Sequence, residues 1–90
     1  MEIKQTAIAG TLESSDVQIT VSQGTTGINV DLTSDVQARF GDKITATIKE
    51  VAKEYDLENV NFKAVDQGAL DCVIKARTAT AIKRALKNNN

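Results

Sequence analysis

The side chains of this sequence that could do nucleophilic chemistry include two adjacent serines, Ser14 and Ser15, and one cysteine, Cys72. A serine or cysteine becomes a catalytic nucleophile when a neighbouring base, most often histidine, accepts its proton. The sequence has no histidine, so no Ser-His or Cys-His pair can form and no Cys/His cluster can hold zinc. We therefore assign no catalytic residue and no metal site. By composition alone, Ser14 is an ordinary turn serine.

Cys72 is the single cysteine, which excludes a disulfide within the chain and fits a reducing cytosol. Its neighbours Ala69, Ala76 and Ala79 favour a small packing residue over a reactive thiol. The beginning of the chain contains no apolar run long enough for a signal peptide or a membrane span. We expect a cytoplasmic protein without membrane contact.

The charges are distributed unevenly, although the net charge is only −1. Residues 1–35 carry Lys4 together with Glu2, Glu13, Asp16, Asp31 and Asp35. From Gln67 onward the charged residues are Asp71, Lys75, Arg77, Lys83, Arg84 and Lys87. These cations either complement the negative end of a helix dipole or bind phosphate or a partner, and both interpretations stay open. The acidic balance and the scarcity of aromatic residues disfavour nucleic-acid binding.

Three segments alternate apolar and polar residues, as half-buried strands do. Their apolar positions are Val17, Ile19 and Val21, then Ile28, Val30 and Leu32, then Val60, Phe62 and Ala64. The segment from Ile3 to Leu12 is a less regular strand candidate. We expect residues 13–16 to join the first two strands in a tight turn with Ser14 at its exposed tip. Residues 23–27 are expected to join the second and third strands in a hairpin-like loop.

Two amphipathic segments are predicted to form helices. Ser34 and Gln37 form a capping-box pattern, which predicts a helix from about Asp35 to about Tyr55. Its apolar positions at helical spacing are Val36, Phe40, Ile44, Ile48, Val51, Ala52 and Tyr55. Gly41 lies inside this helix, where glycine is less favourable than alanine. It marks a close packing contact or has no structural role.

A second helix is predicted to begin near Gly68 or Ala69 and to continue to about Leu86. Its main apolar stripe contains Leu70, Val73, Ile74, Ala81 and Ala85. Ile82 and Leu86 lie off that stripe, so this helix either packs between the sheet and its neighbour or keeps one side for a partner.

The element order ββ-β-α-β-α predicts an α+β fold with a four-stranded, mainly antiparallel sheet and two helices packed on one face. Ninety residues suit one domain. We expect residues 1–87 to form that single domain and residues 88–90 to form a frayed C-terminal tail.

Three motifs carry a resemblance to a known family. They are Ala9-Gly10-Thr11-Leu12-Glu13-Ser14 followed by Asp16-Val17, then Phe40-Gly41-Asp42, then Gly68-Ala69-Leu70-Asp71-Cys72. Together they resemble the acyl carrier subunit, or gamma chain, of citrate lyase, and their spacing is kept over nearly the whole chain. The Asp-Ser-Leu motif of ordinary phosphopantetheine carriers does not occur.

The resemblance implies that Ser14 carries a covalent prosthetic group, 2'-(5''-phosphoribosyl)-3'-dephospho-coenzyme A, joined through a phosphodiester. The terminal thiol of this arm would present acetyl and citryl groups as thioesters. The chain would then be a non-catalytic acyl carrier domain, while partner subunits cleave citrate to oxaloacetate and acetate. The implied partners are the alpha and beta subunits of citrate lyase, the enzyme that attaches the arm, and the ligase that acetylates it.

Ser15 departs from the family, which commonly has glycine after the modified serine. Glycine there would ease a turn with positive φ, so Ser15 puts the turn geometry in question more than the attachment site. We expect Glu13 and Asp16 to form the turn, with recognition by the attaching enzyme as the alternative. The basic second helix is expected to dock on the catalytic subunits. A rival hypothesis is an unmodified α+β scaffold or regulatory subunit that binds partners through that helix.

Overall fold

The computed structural model describes residues 2–34 and 37–87, and its elements follow the predicted order. They are β1 Ala7–Gly10, β2 Val17–Gln23, β3 Ile28–Ser34, α1 Gln37–Glu54, β4 Val60–Asp66 and α2 Asp71–Leu86. The first strand is shorter than the predicted segment, and α2 begins after Gly68 and Ala69. The predicted helix start at Asp35, the apolar position Val36 and the tail Asn88 to Asn90 lie outside the described residues.

The four strands form one sheet in the order β1-β2-β4-β3. The pairs β1–β2 and β2–β4 are antiparallel, whereas β3 and β4 are parallel, so the predicted mainly antiparallel sheet is confirmed. The parallel pair requires the crossover that α1 provides between its two strands.

The predicted hairpin between β2 and β3 is wrong, because β4 lies between these two strands. The alternate residues Val60, Phe62 and Ala64 of β4 are almost fully buried, whereas every described side chain of β3 is half-buried or exposed. The strand with the more buried apolar face lies inside the sheet, between two neighbouring strands, and the less buried β3 lies at the edge. Residues 24–27 therefore cross the beginning of β4, where Val60 N donates to Gly27 O at 3.0 Å.

The core lies on one face of the sheet, and both helices cover that face, as predicted. Helix α1 packs against β3, α2 packs against β1 and β2, and the two helices pack against each other. On β2 the residues Val17, Ile19 and Val21 are fully buried, whereas those between them are half-buried. This alternation means that the opposite face of the sheet is the solvent-facing one.

Helix α2 turns both parts of its apolar surface inward. Ile74 and Ala81 of the predicted stripe are buried, and so is Ile82, which the stripe omitted. Ile82 thus belongs to the core, and the helix is packed between the sheet and α1. Leu70, in contrast, is 70% exposed and is not part of the stripe. It occupies the N-cap position with extended backbone, so the helical periodicity does not extend to it.

Helix α1 buries Ile44, Ile48 and Val51 as its spacing predicts. Gly41 is also buried, which favours the close-packing interpretation. Phe40, which the helical spacing places on the same apolar side and would assign to the core, is instead 44% exposed. Its ring borders an open cleft between the two helices, so one side of the ring stays in contact with solvent.

Candidate functional site

Ser14 lies in a tight turn between β1 and β2, as predicted, and its side chain is exposed. Asp16 N donates to Glu13 O at 3.1 Å, which closes a four-residue β-turn over residues 13–16. Ser15, the third residue of the turn, has φ of 67°. A turn with positive φ at the third position and not at the second has the pattern of type II.

Ser15 therefore adopts the left-handed conformation that glycine takes freely. The turn with positive φ expected at this position is present although the residue is serine. For a residue with a Cβ atom this conformation costs about 1–2 kcal/mol. Two backbone hydrogen bonds to the segment after β4 hold it in place: Ser15 N donates to Gln67 O at 2.7 Å, and Gln67 N donates to Asp16 O at 2.8 Å.

The Asp16 carboxylate organises the turn from both sides. On the entry side, the Thr11 hydroxyl and the Thr11 N–H donate to Oδ2 at 2.6 and 3.2 Å. On the exit side, Val17 N–H donates to Oδ1 at 2.7 Å. From α2, Arg77 donates through Nε to Oδ1 at 3.0 Å and through Nη2 to Oδ2 at 3.1 Å. The planar guanidinium thus grips both carboxylate oxygens, which is the strongest geometry available to such a pair.

The same hydrogen bonds hold the pKa of Asp16 well below its ordinary range, with the Thr11 hydroxyl as the largest cause, followed by Arg77 and the Val17 amide. The carboxylate is therefore ionised at neutral pH, and its charge is paired with that of Arg77. The prediction that Asp16 forms the turn is confirmed. Glu13 contributes through its backbone, because its amide donates to the Thr11 hydroxyl at 3.2 Å.

Gly10, at the end of β1, has the backbone conformation that leads the chain into this turn. Its φ is 88°, and a Cβ atom built on it would lie 1.8 Å from the carbonyl oxygen of Val17. No side chain can occupy that space, so the close approach of the two strands at the base of the turn requires glycine. The first motif therefore combines a glycine that allows the approach with Thr11 and Asp16, which fix the turn above it.

Three of the basic residues of α2, namely Lys75, Arg77 and Arg84, bind groups within the protein. Arg77 binds Asp16, and Arg84 Nη1 donates to the carbonyl oxygen of Ile8 in β1 at 2.7 Å. Lys75 lies 3.5 Å from Asp71, one helical turn earlier. A reversal of Arg77 would therefore disturb the Ser14 turn itself. Lys83 is exposed, as is Lys87.

The third motif opens α2 beside the turn. Asp71 accepts a hydrogen bond from the Thr47 hydroxyl at 2.9 Å, which is the main cause that lowers its pKa. Asp71 and Leu70 line the cleft of about 260 Å³ that Phe40 borders between the two helices. Cys72 is exposed, so its predicted role as a small packing residue is wrong.

The Ser14 hydroxyl has no hydrogen-bond partner among residues 2–34 and 37–87. The residues after Ser14 are held by hydrogen bonds to Gln67 and Arg77, whereas the Ser14 hydroxyl forms no hydrogen bond in this part of the chain. Over the same ranges, neither helix is long and apolar enough to cross a membrane.

Comparison with known proteins gives matches over nearly all of the chain. Residues 4–85 match the family described as ACP, malonate decarboxylase delta subunit (MdcD). The citrate lyase acyl carrier protein of Leuconostoc mesenteroides subsp. cremoris is 65% identical over 86 residues, which are 96% of this chain and 89% of that protein. This chain belongs to the citrate lyase acyl carrier protein family.

Another citrate lyase acyl carrier protein, from Lactobacillus acidophilus, is 58% identical over 90 residues, covering 100% of this chain and 93% of that protein. The family resemblance found in the sequence motifs is thus confirmed. The fold is also similar to a chain in the crystal structure of a Pseudomonas malonate decarboxylase hetero-tetramer in complex with malonate. That match has a TM-score of 0.65 and covers 94% of this chain and 88% of that chain, at 16% identity, so it supports the fold alone.

For this member of the citrate lyase acyl carrier protein family, sequence reasoning placed Ser14 and Asp16 in the turn but missed Arg77 as the partner of Asp16. Thr11 and Asp16 are five positions apart in one motif, so a local side-chain contact could have been anticipated. Arg77 follows Asp16 by 61 positions and carries no local signal of that contact.

Proposed function

We propose that this chain is the acyl carrier subunit of citrate lyase and that Ser14 is the attachment point of its prosthetic arm. The observation that carries the proposal is the Ser14 hydroxyl, which is exposed and has no partner within the described chain. It stands on a turn that is fixed to β4 and α2 through backbone and side-chain bonds. An attaching enzyme can reach such a hydroxyl without displacing a side chain of the carrier.

The residues around Ser14 fit a phosphodiester-linked arm, the 2'-(5''-phosphoribosyl)-3'-dephospho-coenzyme A group. Arg77 balances the negative charge of the Asp16 carboxylate. The repulsion between this carboxylate and a phosphate attached to Ser14 is therefore reduced. Glu13 is exposed, where water and salt screen its charge. When bound, the arm supplies a terminal thiol that carries acetyl and citryl groups as thioesters.

The role of the chain in this proposal is to hold the base of the arm, and the acyl chemistry belongs to the partners. These are the alpha and beta subunits of citrate lyase, which cleave citrate to oxaloacetate and acetate, the enzyme that attaches the arm, and the ligase that acetylates it. A tether raises the local concentration of the thioester at each partner site, to the order of millimolar for a short flexible arm. The proposal places this complex in the cytoplasm.

The proposal is tested by producing the chain together with the attaching enzymes and measuring its intact mass, followed by peptide mapping. We expect the mass of one arm, located on Ser14. Ser14→Ala should abolish loading without unfolding the protein, because an exposed hydroxyl without a partner contributes little to stability.

Ser15→Ala is the matched control and should load normally, since alanine and serine have a similar cost at positive φ. Protein from a host without the attaching enzymes supplies the unmodified reference mass. A bare-chain mass in the presence of those enzymes would contradict the carrier proposal and favour an unmodified scaffold or regulatory subunit. An arm mapped to Ser15 would refute the assignment of Ser14.

A further inference from the structure

We propose that Arg77 is a positioning residue for Ser14, and that it acts by holding Ser15 in its left-handed conformation through Asp16. This inference rests on the proposed attachment at Ser14 and adds the element that presents the hydroxyl. Arg77 belongs to α2 and is far from the turn in sequence. Its guanidinium group forms the hydrogen bonds that join the Asp16 side chain to the helix.

The contact joins the turn to the core of the protein. Arg77 precedes Thr78, which is fully buried and whose hydroxyl donates to Ile74 O at 2.7 Å within the helix. The backbone that carries Arg77 is therefore fixed by packing. The Asp16 side chain is only 13% exposed, whereas that of Arg77 is 42% exposed. The ion pair thus links a turn on the surface to a helix whose inner side is packed in the core.

The turn needs such a constraint because Ser15 is strained. With φ of 67°, Ser15 has a higher free energy than in an extended or right-handed helical conformation. The hydrogen bonds from Ser15 N to Gln67 O and from Gln67 N to Asp16 O offset this cost, and the second of them requires Asp16 to stay in place. Without Arg77, Asp16 keeps its local bonds to Thr11 and Val17 but loses its link to α2.

Glycine at position 15 would remove the strain, because glycine adopts positive φ without a steric cost. The constraint from Arg77 should then become dispensable. This coupling separates a positioning role from two others, a direct contact with the attaching enzyme and a general contribution to folding, since neither of those depends on the residue at position 15.

The experiment compares wild type, Arg77→Met, Ser15→Gly and the double variant. In unloaded protein, Arg77→Met should lower the hydrogen-exchange protection of the Ser15 amide, and it should slow loading of Ser14 by about tenfold. The double variant should load within about twofold of Ser15→Gly alone. Arg77→Lys, which keeps the charge but not the planar fork, should be intermediate.

Arg84→Met is the matched control, because this arginine also leaves α2 but binds Ile8 O and not the turn. It should load like wild type. Equal loading of Arg77→Met and wild type would overturn the proposal. Equally slow loading of Arg77→Met and the double variant would overturn it as well and would indicate a contact with the attaching enzyme.

Circular dichroism of each variant distinguishes slow loading from unfolding. If Arg77→Met is unfolded, the comparison of Arg77→Lys with its own Ser15→Gly double variant replaces it, with the same outcomes. A wild-type chain that is not loaded on Ser14 would refute the proposed function instead. The exchange measurement on unloaded protein would still decide whether Arg77 holds Ser15.

Discussion

Asp16 is the residue on which the geometry of the candidate site depends. Its two carboxylate oxygens accept bonds from Thr11 before the turn, from the start of β2 and from α2. Each of these donors favours the ionised form, so each of them is weakened when the carboxylate is protonated. The titration of Asp16 therefore couples the integrity of the turn to pH.

The sign of this coupling follows from the lowered pKa of Asp16, whose ordinary value is 3.8. The unfolded chain binds the proton more readily than the folded chain does. The stabilisation is therefore complete above the ordinary value and is lost as the pH falls through the lower pKa of the folded state. We expect Asp16→Asn to be less stable than wild type at neutral pH, and the difference to shrink as the pH falls below about 4.

Urea unfolding between neutral pH and about pH 2.5 measures this difference. Ser14→Ala is the control, because it changes the same turn without removing a titratable group, and its difference from wild type should not vary with pH. A difference between Asp16→Asn and wild type that stays constant down to the lowest pH would contradict the assignment.

At the scale of the elements, α2 serves the core and the turn at once. Ile74, Ala81 and Ile82 face the sheet and α1, while Arg77 reaches the turn and Arg84 reaches β1. The arginines leave the helix at its border with the sheet edge, where their stems can cover apolar surface while the guanidinium groups form hydrogen bonds. Damage to the packing of α2 would therefore also move the turn.

The packing of α2 predicts opposite outcomes for two leucine-sized residues near its ends. Ile82 is fully buried, so Ile82→Ala should lower the free energy of unfolding by about 2–5 kcal/mol through lost burial and a residual cavity. Leu70 is 70% exposed, so Leu70→Ala should change it by less than about 0.5 kcal/mol.

Chemical denaturation of the two variants at neutral pH checks this prediction. A large loss for Leu70→Ala together with a small loss for Ile82→Ala would mean that the helix turns its other side to the core. Such a result would also remove Arg77 from the vicinity of Asp16.

At the scale of the whole molecule, the Ser14 turn lies at the end of the sheet where β3 and β4 finish. The sheet register places Val17 and Ser34 opposite Asp66, so the β1–β2 turn, the end of β3 and the β4–α2 connection lie at one end. Asp66 itself is buried there, accepting bonds from the Ser34 hydroxyl and from Ala69 N at 2.8 and 2.9 Å. The Ser14 turn is therefore hydrogen-bonded to the connection that follows β4, directly after the buried Asp66.

The proposed docking on the catalytic subunits is tested on Lys83 of α2 and on Lys87, which directly follows the helix, since both are exposed. Lys83→Glu combined with Lys87→Glu should weaken co-purification with those subunits several-fold at physiological salt, because it reverses charges that the proposed docking places against a partner. Loading of Ser14 should not change, since neither lysine contacts the turn within the described residues.

Lys53→Glu combined with Lys63→Glu makes the same charge change on α1 and β4 and is the control, expected to assemble normally. Normal assembly of the α2 double variant would instead mean that its lysines only complement the negative end of the helix dipole.

The sequence by itself determined the features that depend on neighbouring residues. Alternation predicted β2, β3 and β4, helical spacing predicted both helices, and the motif around Ser14 predicted an exposed turn in the correct place. These succeed because a strand or a helix repeats its inward side every two or every three to four residues, and a tight turn is closed by bonds between residues a few positions apart.

Only the tertiary structure decided which elements lie side by side. It placed β4 between β2 and β3, left Phe40 and Leu70 at a cleft, and brought Arg77 to Asp16. These outcomes depend on competition for burial among all strands and on contacts between residues many positions apart. Local periodicity predicts that a residue faces inward. The residues that it contacts there depend on the packing of the whole chain.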